Sequence, residues 1–302
     1  MKLLILGENS LVKLRYISRL ISHNFSIISS IYARQLAAIT PKKHFVKVPI
    51  NNADIDYNEP YDGVDIHFRT GTAIRAYRVA DELRKRGKTV ILSGPHPSAV
   101  PDEAKNHADS VLIGNTEELW SDVLNDLEAG KLKPFYKSKG IVKKGAFGIS
   151  KHDIISKAPI VGVIEATRGC PYKCDFCQDS NVLHGSVFRT RPIEDVINEI
   201  KSFPQKFLFF CDVSLTIDPS YTKALFKEMI GLNKKFVCEG NVDVLAKDEE
   251  LLKLSYEAGC TEWTVGFESF TQEALDDMHK RTNTIGDYFQ VVDKVHKFKM
   301  AI

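Results

Sequence analysis

Three thiols crowd into one short run of this chain: Cys170, Cys174 and Cys177, in Ala166-Thr167-Arg168-Gly169-Cys170-Pro171-Tyr172-Lys173-Cys174-Asp175-Phe176-Cys177. The remaining cysteines, Cys211, Cys238 and Cys260, stand alone. Spacers this short let three thiolates wrap a compact inorganic core, each taking one corner of an iron–sulfur cluster. Three thiolates leave one iron of a four-iron cube without a protein ligand. An open iron has the same use as an open position on a catalytic metal, because a substrate or cofactor can bind there. The alternative is a zinc knuckle with His184 or another side chain as fourth ligand. Structural zinc sites pair two C-x2-C arms around a longer loop, and no second arm follows here. In a chain of this size such crowding points to metal ligation or catalysis before disulfides.

The elements that must position this loop follow from the apolar pattern. The chain has 302 residues, 43% hydrophobic and 26% charged, enough to bury one or two ordinary cores. From residue 1 to about 129, short apolar runs alternate with longer amphipathic ones, which predicts strand–helix units around a parallel sheet. Strands are expected at Leu3–Leu6, Phe45–Val48, Val64–Phe68, Thr89–Leu92 and Ser110–Ile113. Helices are expected at Thr72–Arg86 and Glu117–Leu127, with Gly87 as C-cap of the first and Thr116 as N-cap of the second. The stretch 131–158, rich in lysine and glycine and without sustained periodicity, reads as a linker. A second alternation starts at Ile160–Ala166, just before the cysteines. It continues with strands at Phe207–Phe210, Phe236–Glu239 and Glu262–Phe267 and helices near Ile193–Phe203, Pro219–Ile230, Glu249–Ala258 and Ile285–Phe298.

The fold class is therefore α/β: a doubly wound, Rossmann-like domain over 1–130, the linker over 131–158, and a partial (β/α) barrel over 159–302. Four strand–helix units fit before Ile302, and a fifth strand is expected to be starting there. A four-unit arc leaves an open edge, so the chain is expected to be C-terminally incomplete or to complete its sheet with a partner. The cysteine loop falls at the carboxyl end of the first strand of the second array, where open α/β and barrel folds place active sites.

Charge and hydropathy exclude other classes. Lys and Arg number 41 against 39 Asp and Glu, a formal net charge of +2, too balanced for phosphate neutralisation along a duplex, so no nucleic-acid partner is expected. The apolar start at Lys2–Leu6 stops at Gly7-Glu8-Asn9-Ser10, too short for a secretory core, and reads as a buried first strand. No run approaches the roughly 18 apolar residues of a membrane span, and the expected compartment is the cytoplasm.

Segment 166–177 resembles the cluster loop of the radical S-adenosylmethionine superfamily, down to the aromatic Phe176 before the third cysteine. Two further tracts are similar to that superfamily's barrel: Phe188-Arg189-Thr190-Arg191-Pro192 ahead of a helix, and Gly266-Phe267-Glu268-Ser269 at the end of the fourth strand. Ser93-Gly94-Pro95-His96-Pro97-Ser98 and Ala108-Asp109-Ser110-Val111-Leu112-Ile113-Gly114 resemble the cobalamin-binding domain that precedes the barrel in one large subfamily. The resemblance implies three cofactors: a 4Fe–4S cluster held by Cys170, Cys174 and Cys177, S-adenosylmethionine, and cobalamin. It further implies a reductive cleavage, in which the cluster passes one electron to S-adenosylmethionine and breaks a carbon–sulfur bond. The products are methionine and a 5′-deoxyadenosyl radical, which abstracts hydrogen from an unreactive carbon inside a dry site. The unique iron would chelate the cofactor's amino and carboxylate groups, with Phe176 close to the cluster and the adenine. Where the superfamily has a Gly-Gly-Glu-like tract, this chain reads Cys211-Asp212-Val213-Ser214. Asp212 is either an acceptor for the cofactor's ammonium or a strand-end carboxylate capping the next turn. Glu268 and Ser269 are expected to contact cofactor hydroxyl or amino groups. Cys211 is at a strand's carboxyl end facing the site, while Cys238 and Cys260 read as core fillers. The fifth-strand adenine-binding segment has no counterpart before Ile302.

In the front domain, the loops at the carboxyl ends of the strands form a cradle for a large planar cofactor with a phosphate-bearing tail. They are Thr70-Gly71-Thr72, Gly94 to Ser98 with His96 between, and Gly114 to Glu117 with Thr116 between. Glycine lets a ligand approach the backbone, and hydroxyls donate hydrogen bonds. A nucleotide or a flavin suits the same loops; the resemblance selects cobalamin. His96, between two prolines, is either part of a rigid turn or a corrin contact. Asp65-Ile66-His67 is read as a coincidence with the D-x-H start of a cobalt-ligating motif, His67 being a half-buried strand residue. The implied function is a cobalamin-dependent methyltransferase that acts on an unreactive carbon of a small-molecule substrate and draws electrons from a donor such as flavodoxin or ferredoxin. The alternatives are a cyclase or oxidoreductase of the same superfamily without methyl transfer, and an inactive cofactor-binding fragment.

Overall fold

The computed structural model describes residues 1–8, 30–49, 55–140 and 161–302. The chain divides into two compact units, Met1–Ile160 with Val182–His184, and Val161–Asn181 with Gly185–Ile302. In the first unit β1 (Lys2–Leu6), β2 (Phe45–Lys47), β3 (Gly63–His67), β4 (Val90–Ser93), β5 (Ser110–Ile113) and β6 (Phe135–Lys137) form one parallel sheet. Their order is β2-β1-β3-β4-β5-β6. The described helices of this unit are α1 (Ile31–Ile39), α2 (Ala73–Lys85), α3 (Pro95–Ala99), α4 (Pro101–Lys105) and α5 (Thr116–Glu128).

Successive strand residues point to opposite faces, and both faces of the central strands are covered, which is why those strands are mostly apolar. Leu4, Leu6, Val64, Ile66 and Leu92 pack with Ala76, Ala80 and Leu83 of α2. Leu3, Ile5, Ile91 and Leu112 pack on the other side with Leu36 of α1 and Trp120 and Val123 of α5. The one indole here is satisfied, since Trp120 Nε1 donates to Thr40 Oγ1 at 2.8 Å. Because β1 lies between β2 and β3, the winding reverses there, and such a reversal opens a crevice outside the carboxyl ends of the strands.

Two expectations are corrected in this unit. The stretch read as a linker over 131–158 first contributes a strand: β6 pairs parallel with β5, and Tyr136 is buried with its hydroxyl donating to Asp126 at 2.7 Å. Its flanks Phe135 and Lys137 are exposed, so three residues in a lysine-rich context carry no readable period. Residues 141–158 of that linker, with 159 and 160 after it, lie outside the described residues. Thr116 is the first helical residue of α5, with Asn115 at the cap position, so the helix start is one residue earlier than expected. Gly87 does stand in the left-handed conformation just after α2, at φ +74°.

The second unit is built on β7 (Val161–Ile164), β10 (Phe207–Phe210), β11 (Lys235–Gly240) and β12 (Cys260–Val265), parallel and ordered β12-β11-β10-β7. A separate antiparallel ribbon pairs β8 (Thr167–Arg168) with β9 (Arg189–Thr190). The helices are α6 (Gln178–Asn181), α7 (Ile193–Ser202), α8 (Pro219–Met229), α9 (Val242–Lys247), α10 (Glu249–Ala258), α11 (Gln272–Asp277) and α12 (Tyr288–Lys297). One core of Ile164, Leu208, Phe210, Phe226, Phe236 and Trp263, among others, fills this unit. At the free side of β12, Ala301 forms a parallel bridge with Glu262; Trp263 N–H donates to Ala301 O at 2.9 Å, and Ala301 N–H donates to Thr261 O at 2.8 Å. A fifth parallel position therefore begins where the alternation places it. No helix among the described residues is long and apolar enough to cross a membrane.

Candidate functional site

The carboxyl ends of β7, β10, β11 and β12 share one end of their sheet, and the cysteine loop grows from the first of them. Gly169 has φ +87°, and a Cβ there would run into the carbonyl oxygen of Val187, so this position requires glycine. Cys170 N–H donates to Gly185 O at 3.0 Å, and Cys177 N–H donates to Cys174 O at 3.0 Å, closing a tight turn around the last two thiols. Asn181 Nδ2, on α6, donates to the carbonyls of Cys174 and Cys177 at 2.8 Å each. Lys173 sits in the left-handed region at φ +52°, uncommon for a side chain of its type and frequent at functional sites. Cys174 is buried and its two partners are partly exposed; none of the six cysteines is in a disulfide.

Burial raises the Cys170 and Cys174 thiols above their ordinary value, and negative charge on Cys177 adds to the effect at both. The three sulfurs are thus within electrostatic reach of one another. No group of three His, Cys, Asp or Glu side chains among the described residues is gathered to hold a single metal ion. A cube asks for something different, one sulfur at each of three corners rather than three around one point. Thiols outside any disulfide, on one short loop fixed by backbone bonds, fit that group. His184 belongs to the first unit, where its Nε2 lies 3.2 Å from Ser138 O.

A strap after α11 lies against this loop, and nothing in the sequence reading identified it. Asp175 N–H donates to Met278 O at 3.1 Å, and His279 Nδ1 lies 2.9 Å from Asp175 Oδ2. Lys280 Nζ is 3.5 Å from Glu268 Oε1 and 5.8 Å from the centroid of the Phe176 ring. Its positive charge favours ionisation of both Cys170 and Cys174. Asn283 Nδ2 donates to Gly266 O and Phe267 O, at 2.9 and 3.1 Å, and Tyr288 Oη donates to Phe267 O at 2.5 Å, fixing the segment that carries Glu268. Glu268 itself has φ +61° and His279 φ +54°, two more non-glycine residues in the left-handed region at the same place. Phe176 is exposed, and Ser269 Oγ accepts from Thr271 N–H at 3.1 Å. The structure thus brings Phe176, Glu268 and the cysteines together, while Ser269 caps its own turn. The signal for Lys280 was absent from the sequence, because its partners lie 12 and 104 residues away from it in number.

Asp212 takes neither of its two expected roles, since the turn that follows it is capped by Ser214 and its own carboxylate bonds a segment 45 and 46 residues earlier. It is 1% exposed and turns its carboxylate back on the chain. It accepts from Ala166 N–H at 3.0 Å, from Thr167 N–H, and from Thr167 Oγ1 at 2.7 Å. Burial, opposed by these bonds, pushes it up to about 7. Its oxygens are engaged by the entry to the cysteine loop, which corrects the reading of Asp212 as a cofactor contact. The same entry is anchored by Arg191, whose Nη1 donates to Glu165 O at 2.7 Å and pairs with Glu199 at 2.7 Å in full burial. Arg168 grips the Glu165 carboxylate at 2.8 and 2.6 Å. Cys211 Sγ donates to Ile164 O at 3.3 Å, so this thiol is tied to β7. Cys238 and Cys260 are buried 3.9 Å apart in the core, as expected of fillers.

In the first unit the three loops meet at the carboxyl end of the sheet. Thr70-Gly71-Thr72 is a 3-10 turn, and Thr70 Oγ1 lies 3.1 Å from His96 Nδ1. His96 Nε2 is 3.4 Å from Glu103, so the ring is tethered on both sides. Gly94 has φ +105°, and a Cβ on it would press on the Phe68 backbone at 2.7 Å. Ser98 Oγ donates to Gly94 O at 2.7 Å and accepts from Gly114 N–H at 3.0 Å, tying the second loop to the third. Thr116 and Glu117 line a narrow cleft with Tyr32, Leu36, Asp65 and His67. His67 is 5% exposed rather than half-buried, stacked under Tyr32 at 3.8 Å. Ser93 Oγ donates to Asp65 Oδ2 at 3.2 Å, so the hydroxyl's remaining capacity is to accept, here from His67 Nδ1 at 3.2 Å. Burial pushes Asp65 up to about 7.

Residues 164–301 match the Radical SAM superfamily model. Among characterised proteins, the chain is 31% identical over 255 residues to the bacteriochlorophyllide d C-12(1)-methyltransferase of Chlorobaculum tepidum, covering 80% of this chain and 55% of that protein. It is 32% identical over 293 residues to the bacteriochlorophyllide d C-8(2)-methyltransferase of the same organism, covering 88% and 64%. The chain thus spans about three-fifths of the length of these relatives. The fold is shared with the radical S-adenosylmethionine methyltransferase TsrM of Kitasatospora setae, solved with cobalamin and a [4Fe-4S] cluster bound, at a TM-score of 0.75 and 13% identity over 99% of this chain and 68% of that one.

Proposed function

We propose that this chain, whose residues 164–301 match the Radical SAM superfamily, is an enzyme of that superfamily in which Cys170, Cys174 and Cys177 hold a 4Fe–4S cluster. A cluster with one open iron supplies one-electron reduction of S-adenosylmethionine bound there. The observation that carries the reading is the loop itself. Three thiols outside any disulfide are fixed by Gly169, Asn181 and the Asp212 carboxylate at the carboxyl end of a parallel sheet. Glu268 and Phe176 are the side chains that face a ligand of that cluster, one offering an acceptor for an ammonium or hydroxyl and the other an apolar ring. Arg191, Glu165 and Arg168 keep the back of the loop rigid without touching a ligand.

The first unit, over roughly 1–130, is the proposed cobalamin domain. Gly71 has open space around it, Gly94 and Gly114 hold left-handed turns, and Thr70, His96, Ser98, Thr116 and Glu117 offer polar groups along one end of the sheet. The overall reaction proposed is methylation of an unreactive carbon in a small-molecule substrate, fed by a one-electron donor of the flavodoxin or ferredoxin kind. Support comes from the two methyltransferase relatives above 30% identity and from the shared fold. Anaerobic protein is expected to contain about four iron and four sulfide per chain and to release methionine and 5′-deoxyadenosine from S-adenosylmethionine. Cys174→Ala should abolish both. Label from the methyl group of S-adenosylmethionine should pass to cobalamin. Iron-free protein after anaerobic reconstitution would overturn the proposal, and cleavage without label transfer would replace methylation by a rearrangement.

A further inference from the structure

We infer that Lys280 tunes the cluster: its ammonium, fixed beside the cysteine loop by Glu268 and the Phe176 ring, is the positive charge that makes a cluster on Cys170, Cys174 and Cys177 easier to reduce. The inference rests on the cluster proposed above. A cluster held by three thiolates takes one electron from an external one-electron reductant, gains one negative charge and moves no proton. A neighbouring cation stabilises the reduced form more than the oxidised one, and the effect grows as water is excluded from the space between.

Three observations place Lys280 in that role. Its side chain is 14% exposed, so its charge is poorly screened. Its position is over-determined: Lys280 N–H donates to Leu275 O at 2.9 Å, and Asn283 N–H donates to Lys280 O at 3.2 Å. The residue before it is pinned to Asp175, between two of the thiols, by the 2.9 Å His279 contact. The charge also faces the right segment, since Lys280 Nζ lies 5.8 Å from the centroid of Phe176, which stands between Cys174 and Cys177 in the loop. The two opposite charges do not cancel. Glu268 is 33% exposed against 14% for Lys280, so solvent weakens the carboxylate's field more than the ammonium's.

The test is a redox titration of the anaerobically reconstituted protein, followed by the electron paramagnetic resonance of the reduced cluster, with no S-adenosylmethionine present. Lys280→Met should lower the reduced-to-oxidised ratio at the wild-type midpoint about tenfold, a shift of about 59 mV for a one-electron couple. Lys280→Arg, which keeps the charge, should stay near wild type. Glu268→Gln should shift the midpoint in the opposite direction. An unchanged midpoint in Lys280→Met with full iron content would overturn the inference and leave the cluster proposal standing. Loss of iron in Lys280→Met, with no shift in Glu268→Gln, would also overturn it by reducing Lys280 to a structural brace. Wild-type protein that binds no iron would overturn both readings.

Discussion

Asn181 offers the sharpest test of how the cysteine loop keeps its shape. Its side-chain amide reaches back to the carbonyls of Cys174 and Cys177 at 2.8 Å each, bridging the two thiols that are closest in sequence. A neutral hydrogen bond is worth about 0.5–1.5 kcal/mol net, and the exposure of Asn181 puts each bond at the lower end of that range. Together they contribute about 1–2 kcal/mol. Asn181→Ala should therefore raise the population of loosened loop by a factor of about 5–30. Asn181→Asp is the stricter variant. It keeps the shape, removes both donors and turns a carboxylate toward two carbonyl oxygens, so its effect must exceed that of alanine. The assay is the rate at which a strong iron chelator strips the cluster from anaerobic protein, read from the colour of the chelate. Stripping should be fastest for Asn181→Asp, about 5–30-fold above wild type for Asn181→Ala, with little change in melting temperature because the site is at the surface. Equal rates in wild type and Asn181→Asp, or a faster rate in Asn181→Ala than in Asn181→Asp, would show that the bridge does not hold the loop.

Three further outcomes follow from the same geometry. Gly169→Ala puts a Cβ onto the Val187 carbonyl at a left-handed φ, which costs about 1–2 kcal/mol from conformation alone; iron uptake on reconstitution should drop sharply while Gly71→Ala, at an open exposed position, leaves it unchanged. Arg191→Met leaves Glu199 buried without its guanidinium partner and should lower stability by about 3–5 kcal/mol, measured by denaturant titration. Adding Glu199→Leu to it should restore most of that loss. Asp65, raised by burial to about 7, binds its proton more tightly folded than unfolded. Its stabilising contribution is therefore complete below the ordinary carboxylate range near pH 4 and is lost as pH rises through about 7. Denaturation at pH 5 and pH 8.5 should show a loss of about 3 kcal/mol in wild type that Asp65→Asn lacks; an identical pH dependence in both would refute it.

What could be read in the sequence and what could not divides along one physical line. Strands β1 and β10 announce themselves because a strand that is largely buried reads as a continuous apolar run, as Leu3–Leu6 and Phe207–Phe210 do. The thiol spacing is equally local, since the turn that brings Cys174 and Cys177 together is closed within a few residues. Strand β6 has only Tyr136 buried between two exposed residues, and α3 and α4 are single turns opened by Pro95 and Pro101, too short for any period to register. Asp212 was ambiguous because a carboxylate at a strand end is suited both to capping a turn and to binding an ammonium. Its partners are Ala166 and Thr167, 46 and 45 residues earlier, which neither reading contained. Lys280 is the extreme case. A lysine among 41 basic residues carries no sign of its surroundings, and its significance depends wholly on a strap folding back over the cysteine loop. The residues proposed to bind a cluster are thus legible from their own spacing, whereas those proposed to set its electrostatics belong to segments joined only by the fold. Substitutions within 170–177 should accordingly remove the cluster, and substitutions in 279–283 should alter its properties while leaving it in place.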